Sequence, residues 1–194
     1  MKDLFFYPIC ALLVGGMIWY ALSFTKDVPP IDISKGYEVS GEDLQYFLVP
    51  QQLEFSLQTD EEIGQTVAVL TSSVNIQTAP PSAGINMRLG PEFETAFAGR
   101  DIEMTVRARA GDLLPTPQFK IGYFSIDGST TGWQSFTPTA AYADYKISLK
   151  KAPLTGEPRG DHAGIWPDLE GQGRTLNIAS ITVKAVTPEL QQAP

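Results

Sequence analysis

From Asp101 to Ala110 the chain alternates without a break. Ile102, Met104, Val106, Ala108 and Ala110 share one parity, and Asp101, Glu103, Thr105, Arg107 and Arg109 share the other. A period of two is the signature of a strand with one face in a core and one in water, because successive side chains point to opposite sides of a pleated backbone. The same pattern recurs. Leu53, Phe55 and Leu57 alternate with Glu54, Ser56 and Gln58, and Ile85, Met87 and Leu89 with Asn86 and Arg88. Tyr145, Ile147 and Leu149 alternate with Asp144, Lys146, Ser148 and Lys150. Residues 119–126 are apolar in both phases, which predicts a central strand covered on both faces. Near the C-terminus Leu176 and Ile178 lie in one phase and Ile181, Val183 and Ala185 in the other. One extra residue near Ala179-Ser180 would return both sets to one face, so a β-bulge is predicted there.

The segments between these runs are breakers: Ala79-Pro80-Pro81, Gly111-Asp112, Asp127-Gly128 and Gly171-Gln172-Gly173. With 17 glycines and 15 prolines the chain is rich in turns. Outside the N-terminus only residues 91–97 (PEFETAF) read as helix, with Pro91 at the first position and Glu92 and Glu94 where the helix dipole favours acid. Many short strands with almost no helix predict an all-β fold, an antiparallel β-sandwich. Three stretches are similar to the jelly-roll sandwiches of the galactose-binding-like superfamily, which includes many carbohydrate-binding modules. They are residues 98–110 (AGRDIEMTVRARA), 132–149 (GWQSFTPTAAYADYKISL) and 164–186 (GIWPDLEGQGRTLNIASITVKAV). The middle one resembles that superfamily's pattern of Trp, short strand and aromatic before a strand. The last resembles its closing strand pair behind a Gly-rich hairpin. The resemblance covers about residues 37–187 and implies a jelly roll; no ligand residue is carried over from it.

The N-terminus is of another kind. No charge interrupts residues 4–24 (LFFYPICALLVGGMIWYALSF). As a helix this run would span about 31 Å at about 1.5 Å per residue, the thickness of a hydrocarbon core. Phe5, Phe6 and Tyr7 at one end and Trp19, Tyr20 and Phe24 at the other fit interfacial belts. Gly15 and Gly16 form a flat place where another helix could pack. The competing reading is a cleaved signal peptide, with Ala21-Leu22-Ser23 preceding the cut. The expected organisation is a cytoplasmic tip and transmembrane anchor (1–25), a linker stiffened by Pro29-Pro30 (26–36), a periplasmic sandwich (37–187) and a flexible tail (188–194). Lys2 and Lys26 flank the run almost symmetrically, so orientation rests on the long acidic body beyond it. A bacterial inner-membrane protein with its C-terminal domain in the periplasm is expected. The single cysteine, Cys10, lies in the anchor, which leaves the exported body free of thiols.

Composition excludes several chemistries. A formal net charge of −8 argues against nucleic acid, whose phosphates select basic faces. One histidine and one cysteine cannot build a zinc site within the chain. There is no phosphate-binding Gly-x-x-x-x-Gly-Lys loop and no Gly-x-Ser-x-Gly elbow. His162 could serve as a general base only with a partner supplied by the fold, and Asp161 beside it would point to the opposite face of a strand. Glu61, Glu62, Glu92, Glu94, Asp161, Asp168 and Glu170 read as solvated charge rather than as a paired acid and base. No catalytic residue and no cofactor is expected. A structural calcium, which jelly rolls of this superfamily often hold, is the one ion that the resemblance implies.

Aromatic side chains are the better lead. Trp133 follows a loop-like STTG, Trp166 precedes Pro167, and Tyr142 and Tyr145 lie near the start of one strand. Flat rings stack on sugar C–H faces and also anchor protein interfaces, so these four are the candidate contact residues. Two functions follow. In the first, favoured by the short linker, the chain is a non-catalytic accessory subunit, its periplasmic domain packed on a larger membrane-protein complex and its anchor in the lipid bilayer. In the second it is a membrane-anchored carbohydrate-binding module whose exposed aromatics hold a glycan.

Overall fold

In the computed structural model of the chain, residues 13–17, 35–125 and 127–186 are described. The chain divides into two units, Met1–Asp32 and Ile33–Pro194. Within the first, residues 13–17 are helical, and Gly15 and Gly16 have no heavy atom within 4 Å of where a Cβ would stand. The rest of the predicted anchor lies outside the described residues. Among the described residues no helix is long and apolar enough to cross a membrane.

The second unit is all-β, built of two antiparallel sheets facing each other. Its strands are β1 (Tyr37–Ser40), β2 (Leu53–Asp60), β3 (Gln65–Ser72), β4 (Ile85–Leu89), β5 (Asp101–Ala110), β6 (Phe119–Ser125), β7 (Gln134–Phe136), β8 (Ala143–Lys150), β9 (Asp161–Trp166) and β10 (Thr175–Ala185). One sheet runs β2-β3-β10-β5-β8, and β1 also pairs with β10. The other runs β4-β9-β6-β7.

Strand β5 behaves as its alternation requires. Ile102, Met104, Val106 and Ala108 are buried, while Arg107 faces out and pairs with Asp144 of β8. The bulge in β10 is present: Ile178 stands opposite Ala108 and Ser180 opposite Arg107, so Ala179 is the extra residue. It brings Leu176, Ile178, Ile181 and Val183 onto the core face together. It also divides one edge of β10, where Thr175–Ile178 pair with β3 and Ser180–Val183 pair with β1. In the second sheet Ile85, Met87, Ile121, Tyr123, Ala163 and Ile165 point inward. Full burial of each large apolar side chain contributes about 1.5–3 kcal/mol.

The two sheets meet through rings. Phe119 of β6 lies edge-on to Tyr145 of β8 at 4.9 Å, and Phe136 of β7 packs on both, 5.9 Å from Phe119 and 5.6 Å from Tyr145. The helix α1 (Pro91–Phe97) forms where the sequence places it and buries Phe93 and Phe97, with Tyr37 edge-on to Phe93 at 5.0 Å. A 3-10 turn over Gly41–Tyr46, not foreseen from periodicity, inserts Leu44 into the core.

Candidate functional site

The outer face of the β4-β9-β6-β7 sheet is floored by two glycines. Gly122 and Gly164 stand opposite each other on β6 and β9. With no side chain between, neighbouring segments rest on bare backbone. A Cβ on Gly164 would sit 2.2 Å from the Ala83 carbonyl oxygen, and one on Gly122 would sit 2.8 Å from that of Gly132. Phe124 lies over this floor, Trp133 meets Phe124 edge-on at 5.0 Å, and Trp166 meets Trp133 at 6.2 Å. The fold therefore brings the two predicted tryptophans together. Trp133 is half-buried, and Trp166 is only 3% exposed, its indole N–H donated to the Asp168 carbonyl at 3.0 Å. Trp166 forms the wall of a small cleft of 160 Å³, with Pro50, Gln52, Val74, Pro80 and Ser82 around it.

The two tyrosines are parted from the tryptophans and from each other. Tyr145 is 9% exposed and belongs to the ring cluster between the sheets, and its hydroxyl accepts the Thr139 N–H at 2.9 Å. Its role is packing, since burial leaves little ring to offer a ligand. Tyr142 is half-buried and does not line the tryptophan cleft. It touches Asp60 and Arg109, two of the residues that wall a different depression, 380 Å³ in volume, with Gln58, Glu61, Glu62 and Asp112.

Arg109 organises that depression. Its guanidinium donates to Asp112 at 2.5 and 2.9 Å and to Asp60 Oδ2 at 3.0 and 3.3 Å. It also lies over the Tyr142 ring, 5.3 Å from the centroid. Tyr142 in turn donates its hydroxyl to Asp60 Oδ2 at 2.7 Å. Side-chain exposure falls from 65% at Asp112 through 10% at Arg109 to 3% at Asp60, so the network runs from water into the protein. Burial pushes the Asp60 carboxyl upward, but the hydrogen bonds from Tyr142, Arg109 and the Glu62 N–H outweigh it and hold Asp60 below the usual carboxylate range. Burial, with the bond to Asp60, pushes the Tyr142 phenol up to about 12. On the same sheet face Asn177, register partner of Arg109, has a buried amide nitrogen without a hydrogen-bond partner. The sequence flags Tyr142 but not its partners. Asp60 and Arg109 lie 49 positions apart, and the sheet order β2-β3-β10-β5 brings them together.

The remaining candidates have structural duties. His162 Nδ1 lies 2.9 Å from Asn86 Oδ1, and burial, then Arg88, lowers its pKa. Asp161 points to the other face of β9, into the core. Asp168 is buried and accepts the backbone N–H groups of Glu170, Gln172 and Arg174, which folds the Gly-rich turn. Glu94 accepts those of Arg159 and Gly160, each at 2.6 Å. Among the described residues no group of three His, Cys, Asp or Glu side chains could hold a metal ion. The buried carboxylates of Asp127 and Asp161 already face a cation, the Lys151 ammonium, at 3.3 and 2.7 Å.

No family model matches this sequence, and no curated protein matches it. Solved structures do. One described as CBM4 is 12% identical and superposes over 80% of this chain and 99% of its own, with a TM-score of 0.50. The C-terminal family 22 carbohydrate-binding module of Clostridium thermocellum Xyn10B is 13% identical, with 80% and 96% covered and a TM-score of 0.51. A xylan-binding domain from CBM22 is 12% identical, with 80% and 97% covered and a TM-score of 0.50. At these identities the likeness is one of fold. The fold it shows is the jelly roll of carbohydrate-binding modules, as the three sequence stretches imply.

Proposed function

We propose that the chain is a non-catalytic carbohydrate-binding module, held at a bacterial inner membrane by residues 4–24 with its sandwich in the periplasm. The observation that carries this is the likeness, across four-fifths of the chain, to single modules whose names state carbohydrate or xylan binding. The Asp60–Arg109 depression, with Tyr142 against those two residues, is the contact site that suits it best. A half-exposed ring beside carboxylates and a guanidinium offers a sugar both a stacking face and hydrogen-bond partners for its hydroxyls. Trp166, more deeply set and packed against Trp133, would border a second contact at the 160 Å³ cleft. The accessory-subunit alternative, with Gly15 and Gly16 as a packing notch, has no comparable support.

The test is affinity electrophoresis of the full chain, in mild detergent, through gels containing soluble xylan, mixed-linkage glucan or no polysaccharide. Retardation by at least one polysaccharide is expected, and Tyr142→Ala should weaken it by about tenfold, the loss of about 1.4 kcal/mol from one stacked ring. Unretarded migration in every gel would refute the module reading. An N-terminus at Phe24 in the mature protein would end the anchor part alone.

A further inference from the structure

Lys151 and Asp161 form a pair that the glycan reading does not use. Lys151 is the first residue after β8, on one sheet, and Asp161 is the first of β9, on the other. Both side chains are 0% exposed, and Lys151 Nζ lies 2.7 Å from Asp161 Oδ2. Tyr123, fully buried, donates its hydroxyl to that same oxygen. Asp127 Oδ2 stands 3.3 Å from the nitrogen on its other side, and Ser125 Oγ is 2.8 Å away. Two oxygens in this pocket, Asp161 Oδ1 and Asp127 Oδ2, have no hydrogen-bond partner.

We propose that Lys151 and Asp161 condense to an intramolecular isopeptide bond. An amine and a carboxyl held in contact away from water are pre-positioned for it, and fixed placement of this kind replaces a large part of a bimolecular barrier. The reaction begins with passage of a proton from the ammonium to the unbonded Asp161 Oδ1, which gives an amine and a carboxylic acid. The amine lone pair attacks Cγ. Charge develops on Oδ2, where the Tyr123 hydroxyl already donates. Asp127 takes a proton from the nitrogen and delivers it to the Oδ1 hydroxyl, which leaves as water as the C–O bond breaks. The ammonium thus loses two hydrogens and the carboxylate one oxygen; nothing is oxidised or reduced. Asp127 keeps its ionised form for this relay: burial raises its pKa, but the Ser129 hydrogen bonds and Lys151 outweigh burial and lower it. Burial, then Asp161, raises the Tyr123 pKa, so the phenol stays protonated. The bond would tie the two sheets together across the largely exposed 152–160 segment.

Intact-mass measurement of the purified full chain tests this, followed by tryptic mapping. The expected result is a mass one water below that of the sequence. Residues 151–159 should be recovered joined to residues 160–174, because an acylated lysine is not cut. Asp161→Ala and Lys151→Met should restore the full mass, and Asp127→Asn should leave most of the chain uncondensed. Full mass in the unaltered protein with release of a linear 152–159 peptide would overturn the proposal and leave the pair as a buried ion pair. So would a water loss that maps to Asp127-Gly128 as a cyclic imide.

Discussion

At the scale of single residues, Asp60 shows how one carboxylate can tie three strands. It stands at the end of β2, receives Arg109 from β5 and Tyr142 from the residue just before β8, and caps its own hairpin through the Glu62 N–H at 3.0 Å. Asp60→Asn keeps the shape but removes the charge that Arg109 faces, so stability at neutral pH should fall by about 1–3 kcal/mol. Because the folded-state pKa is depressed, the contribution of Asp60 is present above the ordinary Asp value of 3.8 and is lost as pH falls through the lower folded value. Urea unfolding across the acid range should show stability declining with pH in the wild type and a flatter limb in the variant. A variant as stable and as acid-sensitive as the wild type would remove Asp60 from this role. None of this is legible in the sequence, where Asp60 is one acid among the run Asp60-Glu61-Glu62. Tyr142 and Tyr145 make the same point: three positions apart, one bonds the Asp60 carboxylate and the other fills the core.

At the scale of elements, periodicity carried most of the information. The alternation in β5 and the phase break in β10 specify which faces are buried, because a strand cannot switch parity without an extra residue. Deleting Ala179 should therefore be far worse than replacing it. The deletion would turn either Leu176 and Ile178 or Ile181 and Val183 away from the core, and each displaced side chain forfeits about 1.5–3 kcal/mol. The deletion variant is expected to lose its sheet signal in circular dichroism, whereas Ala179→Ser retains it. A folded deletion variant would mean that the bulge can migrate along β10. Short elements were harder to read. The 3-10 turn at Gly41–Tyr46 has too few residues to show a period, and its single buried side chain, Leu44, gives no pattern. The glycine pair Gly122 and Gly164 looks like two weak points in two strands until the pairing of β6 with β9 sets them side by side as a floor for packed loops.

At the scale of the whole molecule, the sandwich depends on rings that cross between its sheets. Tyr145→Ala would open a cavity beside Phe119 and Phe136 and is expected to cost about 3–5 kcal/mol. Hydrogen exchange should then show amides of both sheets losing protection together; loss confined to β8 and its neighbours would mean that the sheets are stabilised separately. The sequence by itself determined the all-β architecture, the helix at Pro91–Phe97 and the position of the bulge. These follow from local rules, namely the two-residue repeat of a strand, the capping of a short helix and the parity of a bulged strand. The tertiary structure alone decided which aromatics face the core and which line a cleft. It also decided that Arg109 meets Asp60, and that Lys151 lies sealed between Asp127 and Asp161. Those pairings join residues from separate strands and loops, and the order of strands in a sheet is set by the packing of the whole chain rather than by any segment of it.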